Sequence, residues 1–335
     1  MVPALFADSY RAARRGAAAL DRSDRGRIVV SGADRASYLH GLLTNDITAL
    51  KTGEGCYAAY LTPQGRMIAD LLVYEIGDVI LLTMDGSVKS TVLAKLDQFV
   101  FSEDVTLGDV TATFAEIAVV GPESARVLSA VLAGATAEAL SGLNDHGNLR
   151  ERFQEQVVIV TSISDIGEPG FDVYVDRPQA EAFQSALTRA GVLSLDPSTA
   201  EAIRIEAGVP AFRRDMDETT IPLEAGIESR AISLTKGCYV GQEVIIRVLH
   251  RGHGRIARKL VGLSIPGSTA PPAGASVHAG GREIGRVTSS TLSPALARPI
   301  ALAYVQRDFV EPGTKVQVDG TDAVVTALPF VARPV

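Results

Sequence analysis

Only two cysteines, Cys56 and Cys238, occur in 335 residues. Two thiols make no disulfide framework, and without a Cys-x-x-Cys pair or a histidine cluster they cannot fill a tetrahedral metal site by themselves. A reducing compartment and no metal site are therefore expected. No run of about 18 apolar residues exists, so no membrane-spanning helix is expected. The leading segment MVPALFADSYRAARRGAAAL holds a twin arginine at 14 and 15, but its apolar part is short and breaks at Asp21-Arg22, unlike a secretory signal. A cytoplasmic location is the expectation. An excess of basic charge is also missing: the net charge is −7, which argues against a general nucleic-acid binder. There is no Gly-x-x-x-x-Gly-Lys-Ser/Thr phosphate loop, no Gly-x-Ser-x-Gly elbow and no His-Glu-x-x-His pair, and the five histidines are scattered. GHGRIA (252–257) has a Gly-x-Gly-x-x-Ala shape. The residues after it read as a strand, whereas a dinucleotide needs a helix N-terminus there.

What is present is ordinary globular chemistry, 46% hydrophobic and 21% charged, enough for two or three packed domains. GRIVVSG (26–32) reads as a buried strand closed by Gly32, followed by a helix capped at Asp34 and carrying Tyr38, Leu39, Leu42 and Leu43. Ile117, Val119, Gly121, Leu128 and Leu132 repeat Ile28, Val30, Gly32, Leu39 and Leu43 at a spacing of 89, which reads as a pseudo-duplicated strand-turn-helix unit. Between the two units come three strand-like segments, with turns at Pro63-Gln64-Gly65 and Gly77-Asp78, and a helix facing inward through Val88, Val92, Leu96 and Val100. GFDVYVD (170–176) is another strand, followed by a helix from Pro178 to Gly191. Ser198 and Glu201 have capping-box spacing and open a short helix through Arg204 and Glu206. From about residue 255 onward, short strands with Gly-Gly, Asp-Gly and Pro-Gly turns read as a small β-barrel. The boundaries expected are an α+β region of two interleaved subdomains over 1–250 and a barrel domain over 251–335.

Several residues carry chemistry. Asp70 enters an otherwise apolar strand, where a carboxylate must be paired or face a ligand, since burying a polar group unpaired costs about 2–7 kcal/mol. Glu168 sits in a Gly-x-x-Gly turn at a strand entrance and could accept two parallel hydrogen bonds from a donor pair. Arg247, Arg251, Arg255, Arg258 and Lys259, with His250 and His253, form a span without acids, readable as a solvated face or as a rim for a carboxylate ligand or RNA. Cys238 stands between glycines in LTKGCYVGQEVIIRVLH, before a strand-like run. It is open to three readings: a nucleophile, for which no base is singled out; a thiolate favoured by Lys236 and the basic span; or a small residue in a tight turn.

Taken together, GLLTNDITALKTGEGCYAAYLTPQGRMIADLLVY (41–74), GEPGFDVYV (167–175), RIEAGVP (204–210) and KGCYVGQE (236–243) resemble the YgfZ-like folate-binding proteins. These are relatives of the glycine-cleavage T protein, an aminomethyltransferase, and include a mitochondrial iron–sulfur assembly factor. The resemblance runs over essentially the whole chain, through a terminal Leu-Pro-Phe at 328–330. It implies a three-domain, ring-like α+β fold of the aminomethyltransferase type, with a pseudo-duplicated part and a C-terminal β-barrel. It also implies tetrahydrofolate as ligand: Glu168 would hold the pterin edge, Arg204 would contact the ligand, and Asp70 would match the second aspartate of the transferase's Asp-Asp pair. The first of that pair is Ala69 here, and the chain lacks the transferase branch's terminal aromatics.

Lys236, Gly237, Cys238, Tyr239, Gly241, Gln242 and Glu243 carry the branch-specific motif. From the branch we expect an accessory protein supporting assembly or repair of iron–sulfur enzymes, with iron–sulfur proteins or assembly factors as partners and Cys238 as the working thiol. The alternative is a folate-dependent aminomethyltransferase or methyltransferase with Asp70 in the chemistry. Whether the protein is an enzyme is left open at this point.

Overall fold

A computed structural model describes residues 4–251 and 256–332. The strands run β1 (Ala18–Asp21), β2 (Gly26–Ser31), β3 (Gly55–Leu61), β4 (Met67–Glu75), β5 (Ile80–Met84), β6 (Thr106–Asp109), β7 (Phe114–Val120), β8 (Asn148–Phe153), β9 (Gln156–Ile163), β10 (Gly170–Asp176) and β11 (Leu193–Ser194). They form two sheets, ordered β3-β4-β5-β2-β6 and β11-β1-β7-β10-β9-β8. Each sheet contains the same plan, an antiparallel meander whose last strand lies beside the strand that opens the unit. The first strand of the chain, β1, joins the second sheet, where Ala18 pairs with Val120 and Asp21 with Ile117. That exchange interlocks the two halves.

The repeated strand-turn-helix geometry is present in both. Gly32 and Gly121 have φ of 106° and 117°, and Arg35 and Ser124 donate their backbone N–H to the carbonyls of these glycines. The helices that follow, Arg35–Leu42 and Ser124–Val131, are closed by the N–H of Leu43 on Leu39 and of Leu132 on Leu128. A side chain at Gly32 would come within 1.9 Å of the Asp104 carbonyl, so sterics as well as φ demand glycine. Asp34 occupies the N-cap position but does not cap the helix; its carboxylate accepts the Asp104 N–H at 2.8 Å instead.

Strand alternation decides what faces what. Ala69, Leu71 and Val73 of β4 point with Ile28 and Val30 of β2 into the first core, whereas Leu72 and Tyr74 pack against Tyr174 of the second sheet. In the second sheet Ile117, Val119, Val173 and Val175 form the other core, and Glu116 and Asp172 alternate with them. Each sheet thus turns a mixed apolar and charged face toward its counterpart.

β12 (Arg258–Ser264), β13 (Ser276–Ala279), β14 (Arg282–Ser293), β15 (Arg298–Gln306), β16 (Lys315–Val318) and β17 (Thr321–Thr326) close into the expected barrel, ordered β12-β15-β14-β13-β16-β17. The helix Pro197–Glu206 docks the barrel through Ile205, which packs with Leu260, Ile300 and Leu302. The Leu-Pro-Phe segment lies over two glycines, because side chains at Gly208 and Gly262 would strike Leu328 and Phe330. This helix begins one residue before Ser198: Asp196 is its N-cap, accepting the Thr199 N–H at 2.9 Å, with Pro197 in the first turn.

One segment differs in kind from the sequence reading. The run after Cys238 is a helix, Gln242–Ile246, continued by a π-helical turn Arg247–Arg251, and not a strand. Gly241, at φ 85°, turns the chain immediately before it, and Ile245, Val248 and Leu249 reach the first core at i, i+3 and i+4 spacing. Packing on that face outweighs the β preference of Val and Ile.

Candidate functional site

Asp70 stands on the β4 face that looks away from the core, where the gap between the two sheets opens into a cavity of about 320 Å³. Its Oδ2 accepts the Tyr57 hydroxyl of the adjacent strand β3 at 2.9 Å. Burial raises its pKa from the ordinary aspartate value, against the opposing pull of the Tyr57 hydrogen bond and the Arg25 charge. Burial and the neighbouring Asp70 carboxylate push the Tyr57 phenol well up, so it stays a donor. Above the Tyr57 ring, at 5.4 Å, lies the exposed guanidinium of Arg230.

The second sheet supplies the opposite wall. Arg22 donates to Asp172 at 3.0 Å and to Asp165 at 3.1 Å, Arg25 lies 3.0 Å from Glu116, and fully buried Arg27 donates to Glu116 at 3.0 Å. Burial would raise Asp165, yet Arg22 and Arg25 outweigh it and hold it down at about 2. Burial drives Asp172 well up, with Arg22 only partly offsetting it. Of this network Asp165 lines the cavity with Arg22 and Arg25, joined there by His146, and exposed Arg214 lines it too, paired with Glu201 at 2.9 Å.

Asp70 and Arg204 line this one cavity together. Arg204 is committed internally, however: it donates to Glu201 at 2.6 and 2.9 Å, to Asp215 at 2.7 Å, to Ser289 at 2.9 Å and to the Val209 carbonyl. Glu168 follows Gly167, at φ 100°, and is 1% exposed. It is not among the cavity-lining residues, and its Oε1 accepts from Arg14 of the helix Ala4–Arg15, which also holds Glu206.

Nor does the Cys238 motif line the cavity. Lys236 donates its Nζ to the carbonyls of His40, Leu43 (2.6 Å) and Asn45 (3.0 Å), closing the helix Arg35–Leu42, and burial lowers its pKa to about 8. Tyr239 is buried in the first core, and Gly241 passes so close to the Thr62 carbonyl that a side chain would meet it at 2.5 Å. Gln242 and Glu243 open the helix, and Cys238 itself is exposed. Arg258, from the basic span, pairs with Glu224 at 3.0 Å; residues 252–255, and the side chains of His250 and Arg251, lie outside the described residues.

Sequence reasoning passed over Tyr57, Arg22, Arg25, His146, Asp165, Arg214 and Arg230. Asp165 was two residues from the Gly-x-x-Gly turn that drew attention to Glu168. Nothing in the spacing pairs residue 22 with residues 165 and 172; only β1, crossing into the second sheet, does so.

Among the described residues no group of three or more His, Cys, Asp or Glu side chains could hold a metal ion, and no helix is long and apolar enough to cross a membrane.

Two interlocked sheets with a charged cavity between them, joined to a closed barrel, define a class of protein built as a two-part α+β body with a barrel appended. The family description "GCVT N-terminal domain" matches residues 3–236, and "Glycine cleavage T-protein C-terminal barrel domain" matches 258–333. The chain belongs to the glycine-cleavage T-protein family. It is 33% identical to the aminomethyltransferase of Streptomyces avermitilis over 97% of this chain and 89% of that one, and 33% identical to the aminomethyltransferase of Rubrobacter xylanophilus over 97% and 86%. The crystal structure of glycine cleavage system aminomethyltransferase T from Bartonella henselae matches with a TM-score of 0.88 over 98% of this chain and 90% of that one. At 23% identity that likeness speaks to the fold.

Proposed function

We propose that the protein binds a reduced folate in the cavity between the sheets and acts as a folate-dependent aminomethyl or one-carbon transferase. The observation that carries this reading is Asp70: a carboxyl of raised pKa, oriented by Tyr57, on the wall of a cavity of ligand size. The residues present fit a folate. Asp70 and Asp165 offer acceptors to the N–H groups of a reduced pterin, while exposed Arg214 and Arg230 suit the carboxylates of its glutamate tail. When bound, the folate supplies the ring nitrogen that takes up the one-carbon unit.

The chain's own part is to orient that molecule, to keep water from the buried wall and to hold a proton at an Asp70 carboxyl oxygen. A carboxyl shifted toward neutrality exchanges that proton more readily than an ordinary one. The replacement of the family's first aspartate by Ala69 weighs less than the sequence alone implies. Ala69 is 0% exposed and belongs to the first core, on the opposite face of β4 from Asp70. An acid there would not reach the cavity. The relatives that carry the name aminomethyltransferase over nearly the whole chain support the transferase reading ahead of the accessory one.

Exposed Cys238 favours the second reading, an accessory role in iron–sulfur enzyme assembly in which this thiol meets a partner. Ammonia release from an aminomethylated lipoyl carrier protein, dependent on added tetrahydrofolate and lost in Asp70→Asn, is the result expected of the transferase. Folate binding without that release, combined with a Cys238→Ala variant that no longer supports an iron–sulfur enzyme, would establish the accessory role instead.

A further inference from the structure

We propose that His146 is a ligand-contacting residue of the cavity, its imidazole accepting a hydrogen bond from an N–H group of the bound molecule. This rests on the folate reading and adds a specificity residue to it. Three observations converge. The first is backbone strain: His146 has φ 62°, in the left-handed region that residues with a β-carbon adopt at a cost. The strain falls on histidine although glycine and asparagine, which tolerate this conformation better, stand close by at Gly147 and Asn144.

The second observation is how firmly the surroundings hold that conformation. Asn148 donates its N–H to Gly53 at 2.8 Å, Ser162 to Gly147 at 2.8 Å and Gly147 to Asn144 at 2.9 Å. A side chain on Gly55 would meet the His146 carbonyl at 2.4 Å, so β3 is bare at the point where this loop lands. The loop before β8 is thereby stapled to the edge of the first sheet, and His146 is set into the seam where the cavity lies.

The third is the imidazole itself. Its side chain is 14% exposed, Nε2 is 3.5 Å from the Asp145 carboxylate, and Nδ1 is buried with no hydrogen-bond partner among the described residues. Buried polar atoms are rarely left so, and an orphan at a cavity wall marks a place for a ligand atom. Burial lowers the pKa of His146 below the ordinary histidine value, which keeps a lone pair available near neutral pH. The terminal χ2 torsion is soft, so a modest turn of the ring presents that lone pair to the cavity. Asp165 on the second-sheet wall and Asp70 across the cavity on β4 are acceptors too, so His146 adds to a set that suits a head group carrying N–H donors.

Tetrahydrofolate titration by calorimetry, paired with thermal melts of the ligand-free protein, tests the assignment in His146→Gly and His146→Asn. Both replacements tolerate the left-handed backbone, so both are expected to melt at the wild-type temperature or up to about 4 °C above it. His146→Gly is expected to bind tetrahydrofolate about tenfold more weakly, and His146→Asn, whose amide oxygen is again an acceptor, to recover part of that loss. Unchanged affinity in both variants overturns the proposal. So does a lower melting temperature in both, which would make His146 a structural residue. Wild-type protein that takes up no tetrahydrofolate sinks the folate reading itself, and the melts still decide between strain kept for a ligand and strain that supports the fold.

Discussion

Replacing Arg204 by methionine separates two roles for the best-connected side chain at the cavity. Arg204 and Asp215 have side-chain exposures of 8% and 0%, and their ion pair is reinforced by Glu201, Ser289 and the Val209 carbonyl. Asp215 further binds the hydroxyls of Thr288 and Ser289 on β14, so the arginine and aspartate together tie the helix Pro197–Glu206 to the barrel. Methionine fills much of the volume but leaves a buried carboxylate without its cation, a loss of about 3–5 kcal/mol. With a urea m-value of about 3 kcal/mol/M, the unfolding midpoint falls by about 1–1.7 M. Lysine should restore little, since one ammonium cannot serve the forked set of partners. Asp215→Asn in the methionine background should recover at least about 1 kcal/mol by removing the stranded charge. Urea unfolding followed by circular dichroism reads all four proteins. A loss below about 1 kcal/mol, accompanied by a large drop in folate affinity, would refute the structural role and return Arg204 to the ligand.

Other consequences follow from the same geometry. Gly32→Ala should destabilise by about 3 kcal/mol or more, because its β-carbon would lie 1.9 Å from the Asp104 carbonyl, whereas Gly191→Ala, at φ 85° with open space around it, should cost about 1 kcal/mol in the same denaturation assay. Asp165 is held at about 2, below its unfolded value of 3.8, so the unfolded chain binds the extra proton. The corresponding stability is present above about pH 4 and is lost as pH falls toward 2, on the order of 2 kcal/mol, and Asp165→Asn should flatten this part of the acid-unfolding profile. In native protein a thiol reagent should modify exposed Cys238 quickly and Cys56 slowly, since burial pushes the Cys56 thiol up to about 12; a two-thiol burst before denaturant is added would contradict the placement of Cys56.

Local pattern was enough for the parts whose cause is local. Alternation and turn glycines marked β2, β4, β5 and β10, and the repeat at a spacing of 89 showed in residues that do the same steric work twice, Gly32 and Gly121 at a positive φ and Leu43 and Leu132 at a helix end. The barrel was legible from its short strands and paired glycines. The helix after Gly241 was not, because its β-branched residues favour a strand until a core surface exists for Ile245, Val248 and Leu249 to cover. The cap at Asp196 is masked in the sequence because Ser198, with Glu201 three residues on, has the capping-box spacing that Asp196 lacks.

For the site, the local pattern already requires that Asp70 is no idle core residue, since a carboxyl in an apolar strand must find a partner. The rest belonged to tertiary structure. Strand pairing put Tyr57 on Asp70 and turned Ala69 into the core, and the passage of β1 into the second sheet brought Arg22 to Asp165 and Asp172. Glu168 and Arg204 were recognisable as charged residues in structured places, but what satisfies them, Arg14 in one case and Asp215 in the other, lies 154 and 11 residues away along the chain. Charge pairing depends on distance in space, and only the closed fold sets that distance.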